Sequence, residues 1–327
     1  MGAAKEHLLR ALILFVVVIV VNFFLPRLLP GSPLAGAAGH DAPFLPAGTL
    51  VEIRRTYGLD RPLQEQFRNY LVNLGRGDLG RSLAAHRPVA AMIAERLPWT
   101  VLLVGSAVLL SVMMGCGLGT AAAWHPKRWT VRVVGPVVIA LGALPEFLVA
   151  MLLIVTLGTG LQFFPVGGAT TPFLSISGVR ELLTIVRDLL WHAALPAATL
   201  IIGLVPAFFL LSRNALIGVV GERYLITARG KGLPERRVLW HAWRNALPPV
   251  LTLLGLRLAF VVTGAAVVER IFAYPGMGML LFEAVGRRDY PVMQGVFLVA
   301  SVVILTMNLI LDLLATVLSP QLRQARE

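Results

Sequence analysis

Six long apolar segments constrain this chain more than any other feature of its sequence. A helix needs about 20 apolar residues to cross the hydrocarbon core of a bilayer, and a helix satisfies its own backbone hydrogen bonds there. The sequence therefore predicts an all-α integral membrane protein with six transmembrane helices. The predicted spans cover residues 11–25, 99–123, 133–157, 195–217, 248–268 and 292–318.

Composition supports this class and narrows the set of partners. The chain is 57% hydrophobic and 14% charged, whereas globular chains are about 45–50% apolar and about 25% charged. The net charge of +12 is typical of a membrane protein whose inner loops are basic and contact anionic lipid. Membrane lipid, and no nucleic acid, is therefore the expected partner of these cations.

No metal, organic cofactor or ATP site is expected within the chain itself. Cys116 is the only cysteine, which excludes an internal disulfide and a thiolate cluster. The six histidines are scattered without metal-binding spacing. No phosphate-binding P-loop occurs in the sequence.

The first apolar segment has two interpretations. Basic residues precede it and small residues follow at 35–38, as in a cleaved signal peptide. With Leu8 and Leu9, however, the apolar run reaches about 18 residues, which is near the length of a span. We favour an uncleaved first transmembrane helix within residues 1–29, with its amino terminus in the cytoplasm.

Residues 30–98 form a polar insert that we place outside the membrane. Pro30–Pro33 is expected to end the first helix, and residues 49–52 fit a capping box. Another amphipathic helix is predicted from Asp60. We expect short helices lying against the outer face of the bundle or the interface, with a small soluble subdomain as the alternative. The apolar face of the second helix comprises Leu63, Phe67, Tyr70, Leu71 and Leu74.

Residues 99–327 form the predicted transmembrane core. Its short inner loops are basic, which by the positive-inside rule places both termini in the cytoplasm. Four glycines of the second span are expected to let helices approach closely. They are Gly105, Gly115, Gly117 and Gly119.

A basic segment, residues 218–247, separates the fourth and fifth spans. It is about 30 residues long and contains six arginines and lysines, whereas helix–helix connections usually take about 2–8 residues. A two-turn helix is predicted with Tyr224, Leu225 and Ala228 on one face, ended by Gly232 in the left-handed conformation. The segment is either an interfacial helix whose arginines meet lipid phosphate or a surface on which another protein docks.

A second amphipathic helix is predicted after Pro234, with one apolar and one basic face. The apolar face comprises Val238, Leu239, Ala242, Trp243 and Ala246, and the basic face comprises Arg236, Arg237, His241 and Arg244.

Several motifs in this order resemble one family of transporters. Tyr224–Gly232 followed by Arg244–Pro248 resembles the EAA-type cytoplasmic loop of ABC-importer permeases of the dipeptide, oligopeptide and nickel group. Gly77–Leu83 resembles the outer amino-terminal region of that family, and Val267–Gly278 with Arg288–Pro291 resembles its last outer loop. Such matches cover nearly the whole chain, and the long insert resembles that of the first, B-type permease.

The resemblance implies the fold of a type I ABC-importer permease that forms half of a translocation pore. It also implies that the basic segment contains a coupling helix, which docks on an ATPase subunit and transmits its motion. The residues implied at this contact are Tyr224, Thr227, Ala228, Arg229, Gly232, Arg236 and Arg237.

Glu146 is the candidate residue of the translocation pathway. It lies near the middle of the third span, where Gly142 and Pro145 are expected to break the helix. An ionisable group at this depth is costly and by default functional, so Glu146 is expected to line the cavity and meet a substrate amine. The alternative is a protonated or hydrogen-bonded packing residue.

The implied function is import of short peptides across the bacterial cytoplasmic (inner) membrane. The implied partners are a second permease, two ATPase subunits that bind ATP and Mg²⁺, and an extracytoplasmic substrate-binding protein. Nickel or a metal chelate is the alternative cargo. A stand-alone secondary transporter would predict related halves with broken helices, and no such repeat is found. A membrane enzyme would need a nucleophile–base pair or a metal cluster, and neither is recognisable.

Overall fold

A computed structural model describes residues 2–28, 55, 58–171, 179–259, 261 and 265–318. The predicted features at 30–33, 35–38 and 49–52 lie outside these residues. Within them, every regular element is helical, and one isolated β-bridge joins Arg81 and Pro88. The helices are α1 (Gly2–Phe24), α2 (Leu63–Gly75), α3 (Val89–Trp124), α4 (Trp129–Gly142), α5 (Glu146–Leu153), α6 (Val179–Val220), α7 (Arg223–Gly230), α8 (Glu235–Ala259), α9 (Ala266–Ile271), α10 (Met277–Arg287) and α11 (Tyr290–Leu318).

Three described helices are long and apolar enough to cross a membrane. They are α3, α6 over Leu183–Val220, and α11 over Tyr290–Ile310. The pair Val131–Gly142 and Glu146–Gly160 also qualifies, although the two helices meet at an angle of 103°. The apolar part of α1, Leu12–Leu28, is shorter. The all-helical membrane class is thus confirmed, while the number of spans remains a prediction.

Helix boundaries differ from those of the predicted spans because helices continue beyond the apolar runs. Helix α3 begins at Val89, ahead of the second span, and α6 begins at Val179, ahead of the fourth. Helix α8 runs without a break from Glu235 through Pro248 to Ala259. The second amphipathic helix and the start of the fifth span, which we predicted separately, are therefore one helix.

One compact unit comprises Met1–Thr100, Val262–Arg270 and Pro275–Leu305. Its apolar core joins the start of α3, through Val89 and Ile93, to Met277 of α10 and Val296 of α11. The described part of the insert contributes Leu79, Val89 and Ile93 to this core.

Helix α2 packs on the end of α1 through aromatic side chains. The ring centroids of Phe67 and Phe23 are 5.0 Å apart, and those of Tyr70 and Phe23 are 5.6 Å apart. Leu63 and Leu71, on the same predicted apolar face, remain exposed. The amphipathic helix is confirmed, and it begins at Leu63, three residues later than predicted.

Asp289 fixes the insert to the turn between α10 and α11. Its buried carboxylate accepts hydrogen bonds from the Ser82 hydroxyl, the Leu83 N–H at 3.1 Å and the Ala84 N–H at 3.2 Å. Because a buried carboxylate is stable only when donors satisfy it, this contact determines where the loop after Gly80 lies. The two segments that resemble the outer regions of permeases are thus in direct contact.

Glu269 stabilises the beginning of α10 from a fully buried position. Its carboxyl accepts hydrogen bonds from the Thr100 hydroxyl at 2.8 Å and the Met279 N–H at 2.9 Å. The Thr100 hydroxyl in turn accepts the Met277 N–H at 2.7 Å. The free N–H groups of a helix start are therefore satisfied by side chains, and a Cβ atom on Gly276 would overlap the carboxyl. Burial raises the pKa of Glu269 above its ordinary value.

The second unit comprises Val101–Val261, Ile271–Tyr274 and Thr306–Glu327. In it, α3 and α6 approach so closely that a Cβ on Gly115 would lie 2.6 Å from Cβ of Phe208. Gly119 meets the backbone of α6 in the same way. The predicted role in packing is confirmed for these two glycines, whereas a Cβ on Gly105 or Gly117 would meet no described atom within 4 Å.

Candidate functional site

The short helix α7 of the basic segment is fixed to the second unit by one apolar face. Leu225 is fully buried and Ala228 is 8% exposed. They pack with Ala123 at the end of α3, Leu216 of α6 and Val238 of α8. Since three longer helices contribute to this cluster, α7 moves with them as part of the packed unit.

Helix α7 ends in a Schellman turn in which Gly232 is the left-handed residue. The Gly232 N–H donates to the Arg229 carbonyl at 2.9 Å, and the Leu233 N–H donates to the Ala228 carbonyl at 3.3 Å. Gly232 has φ +75°, so the predicted left-handed conformation is confirmed. Leu233 packs into the same apolar cluster as Ala228, as is common for this motif.

The outer face of α7 presents a mixture of apolar and basic side chains. Ile226 is 60% exposed and Tyr224 is 38% exposed. Arg229 lies beside them, with Nε 3.0 Å from Oε1 of Glu235 and its guanidinium 5.4 Å from the centroid of the Trp124 ring. An exposed ion pair of this kind is worth only about 0–1 kcal/mol, so Glu235 holds Arg229 only weakly.

Helix α8 continues the exposed surface with its basic face. Trp240 is 71% exposed, and with Arg236, Arg237 and Trp243 it lines a cavity of about 540 Å³. Trp243 also donates its indole N–H to Thr120 at 3.1 Å. The predicted two faces of α8 are confirmed. Val238, Ala242 and Ala246 are buried, whereas Arg236, Arg237, His241 and Arg244 are exposed.

The predicted contact residues lie on α7, on α8 and in the turn between them, with two corrections. Ala228 faces the interior, so its side chain packs α7 and is not presented to a partner. Tyr224 was predicted to share the face of Leu225 and Ala228 and instead points outward. The sequence prediction also overlooked Ile226, a large aliphatic residue that is 60% exposed on the basic segment. Exposed members of the predicted set are Tyr224, Thr227, Arg229, Gly232, Arg236 and Arg237.

Glu146 lies at the first position of α5, directly after the bend that follows α4. Its side chain is exposed, and its Oε1 would be 3.5 Å from a Cβ atom placed on Gly203 of α6. The predicted break of the third span is confirmed. The bend leaves the carboxylate at a helix amino terminus, where the dipole stabilises negative charge.

Comparison with known sequences assigns the chain to a family. Residues 101–324 match the family of inner-membrane components of binding-protein-dependent transport systems. Residues 5–104 match the amino-terminal region of the same kind of component. The chain belongs to this family. It is accordingly a transport subunit, embedded as a multi-pass permease in the inner membrane, and the family implies a substrate-binding protein and an ATPase as partners.

The permease is also similar over nearly its whole length to curated relatives. It is 34% identical over 319 residues to the glutathione transport system permease protein GsiC of Salmonella choleraesuis (strain SC-B67), covering 97% of each chain. It is 35% identical over 311 residues to GsiC of Escherichia coli O6:H1, covering 95% of this chain and 94% of the relative. The GsiC protein of Pectobacterium atrosepticum is 34% identical over 320 residues, with 97% of each chain covered.

The permease contains a second ionisable residue within a predicted span, and the sequence prediction overlooked it. Arg257 of α8 is the only charged residue in the predicted fifth span. Its Nε is buried and has no hydrogen-bond partner among the described residues. A single arginine within about 20 apolar residues was the sequence signal that could have identified it.

Proposed function

We propose that this chain is the permease subunit of an ATP-driven importer of short peptides. The observation that supports this proposal most directly is the near full-length similarity to permeases named for glutathione transport. Glutathione is a tripeptide, so this similarity favours short peptides as cargo. In this proposal the chain pairs with a second permease to form the pore. Two ATPase subunits bind ATP and Mg²⁺, and a binding protein delivers cargo from outside.

The basic segment is the part that receives motion from the ATPase. Its exposed face combines apolar and basic groups around Ile226 and Arg229, which suits docking on a protein better than contact with lipid phosphate alone. The buried side of the same helix is fixed to three long helices. A displacement of α7 is therefore transmitted to the membrane-spanning part as a rigid-body movement. The proposed contact residues are Tyr224, Thr227, Arg229, Gly232, Arg236 and Arg237, with Ile226 added.

The proposed orientation places the basic segment and both termini in the cytoplasm. The insert of residues 30–98 and the turn held by Asp289 then lie outside, where the binding protein docks. Alternating access follows: closure of the ATPases moves the coupling contact, and the cavity opens toward the binding protein. The chain itself breaks no covalent bond.

Uptake by the reconstituted transporter tests the proposal. The four kinds of subunit are co-purified and placed in proteoliposomes that contain ATP. We expect accumulation of radiolabelled glutathione or a tripeptide only with ATP, Mg²⁺ and the loaded binding protein. Uptake of ⁶³Ni²⁺ or its chelate in place of any peptide would instead assign the chain to metal import.

Glu146→Gln is expected to reduce uptake of peptides with a free amino terminus by about tenfold, because a charge-assisted hydrogen bond is worth about 1.5–3 kcal/mol. Uptake of the same peptide acetylated at its amino terminus is the internal comparison, and it is expected to change less than about twofold if the loss resides in that bond. Equal uptake of both peptides by the variant and the wild type, at equal expression, would remove Glu146 from the pathway.

A further inference from the structure

Arg257 occupies an unusual position for a charged side chain. It lies nine residues after the start of the predicted fifth span and eleven before its end. At 1.5 Å per residue this places it about 13 Å from the nearer end. Arginines near the ends of spans extend to the lipid phosphates, whereas a central ionisable group faces a protein interior or a water-filled cavity. Lipid phosphate is therefore a poor partner for this side chain.

The direction of the side chain agrees with an inward location. Arg257 follows the buried Val250 by seven residues, which places both on one face of α8. The exposed positions of this part of the helix, Pro249, Thr252 and Leu256, lie on another face. Arg257 itself is neither fully buried nor fully exposed. Its guanidinium is thus set into the unit with part of its surface accessible.

The guanidinium can bind an anion that the described residues do not supply. Arginine stays charged in proteins, and in Arg257 the Nε is buried without an acceptor while the side chain as a whole is only partly buried. Among the described side chains Arg257 forms no ion pair, and its Nε has no acceptor. A carboxylate fits this group best because it can accept two parallel N–H bonds from the guanidinium fork.

We propose that Arg257 binds the carboxylate of the transported peptide and so makes the pathway select cargo with a free carboxyl group. This inference rests on the proposed function as a peptide importer. It also explains the distribution of charge in the spans. Four charged residues occur in the six predicted spans, and only Glu146 and Arg257 lie near the centre of theirs. A peptide carries one amine and one carboxylate, and the chain offers one group for each.

The test compares two peptides in the reconstituted transporter, trialanine and trialanine amidated at its carboxyl terminus. Both are supplied on saturating binding protein, and uptake is measured for the wild type, Arg257→Gln and Arg257→Lys. Uptake of each peptide is compared between permease variants, so any preference of the binding protein for one peptide affects all variants equally. We expect Arg257→Gln to lower uptake of the free acid about tenfold or more and uptake of the amide less than about twofold. Arg257→Lys keeps the charge without the planar guanidinium, so its uptake of the free acid is expected to lie between that of the wild type and that of Arg257→Gln.

Two controls make the result decisive. Leu256→Gln places the same polar group on the adjacent exposed position and is expected to leave both uptakes unchanged. The second control combines Asp312→Asn with Arg257→Gln. If Arg257 formed an ion pair with Asp312 instead of binding cargo, the single change would leave the Asp312 charge unpaired, and the double change would remove both charges. Restored uptake of the acid in the double variant, or an equal loss of acid and amide uptake in Arg257→Gln, would overturn the inference. Failure of the wild type to import either peptide would refute the proposed function itself.

Discussion

An Ile226→Asp variant is expected to fold and to pair with the second permease, yet to lose ATPase association and ATP-driven uptake by at least about tenfold. Ile226 is 60% exposed and contributes nothing to the core beneath α7, so its replacement leaves the chain's own packing intact. In the proposed docking contact, the new carboxylate would lose water and compete with the partner for Arg229, and a central apolar contact is worth about 2 kcal/mol or more. Co-purification of the ATPase with the tagged permease measures the loss directly.

The matched control for this variant is Leu63→Asp. Leu63 is 54% exposed on α2 and belongs to the insert, far along the chain from the basic segment. The Leu63→Asp substitution introduces the same charge as Ile226→Asp at a similarly exposed position. ATPase association is expected to stay within about twofold of the wild type, as for surface substitutions generally. Equal association by Ile226→Asp and the wild type would exclude α7 as the coupling contact.

Glu269→Ala is expected to lower the free energy of unfolding of the permease by about 3 kcal/mol or more, because several buried groups lose their acceptor together. The buried Thr100 hydroxyl and the partly buried Met279 N–H would both lose the carboxyl as acceptor. The thermal unfolding midpoint of the purified complex measures this effect. Glu283→Ala, in the same helix α10, is the control. An unchanged midpoint in Glu269→Ala would contradict the capping role.

The pH dependence of stability provides a second measure of Glu269. Burial raises the pKa of this carboxyl in the folded protein, so the folded state binds its proton more tightly than the unfolded state does. Its contribution to stability is therefore complete below the unfolded pKa and decreases as pH rises toward the raised folded pKa. Glu269→Gln removes the titrating group. The free energy of unfolding of this variant is therefore expected to depend less on pH than that of the wild type. An identical pH profile in the variant and the wild type would show that the carboxyl does not titrate in this way.

Local rules predicted the parts of the structure that depend on short-range chemistry. The alternation of apolar and basic residues after Pro234 identified both faces of α8, because a helical period alone determines which residues are neighbours. Gly232 was identified as left-handed because other residues rarely adopt that backbone conformation. Gly142 and Pro145 identified the break before Glu146 for the same kind of local reason.

Tertiary contacts account for the features that the sequence did not reveal. Ala228 was assigned to a partner contact, and only the convergence of three other helices shows that it is enclosed. Glu269 and Thr100 are far apart in the sequence, so no local pattern indicates their hydrogen bond. The boundaries of α3, α6 and α8 were missed because hydropathy marks the membrane, whereas a helix continues wherever its backbone bonds are made.

The unbroken course of α8 has a mechanical consequence. The exposed Arg237 and Arg257 of the predicted fifth span lie on one helix, about 30 Å apart at 1.5 Å per residue. Pro248 and Pro249 lie between them and lack the N–H groups that would donate within the helix, so the continuous helix is expected to bend most easily there. In the proposed mechanism, a displacement of the basic segment would therefore tilt or bend α8 and change the position of the Arg257 guanidinium, so that the ATPase contact and the cargo contact are joined by one helix.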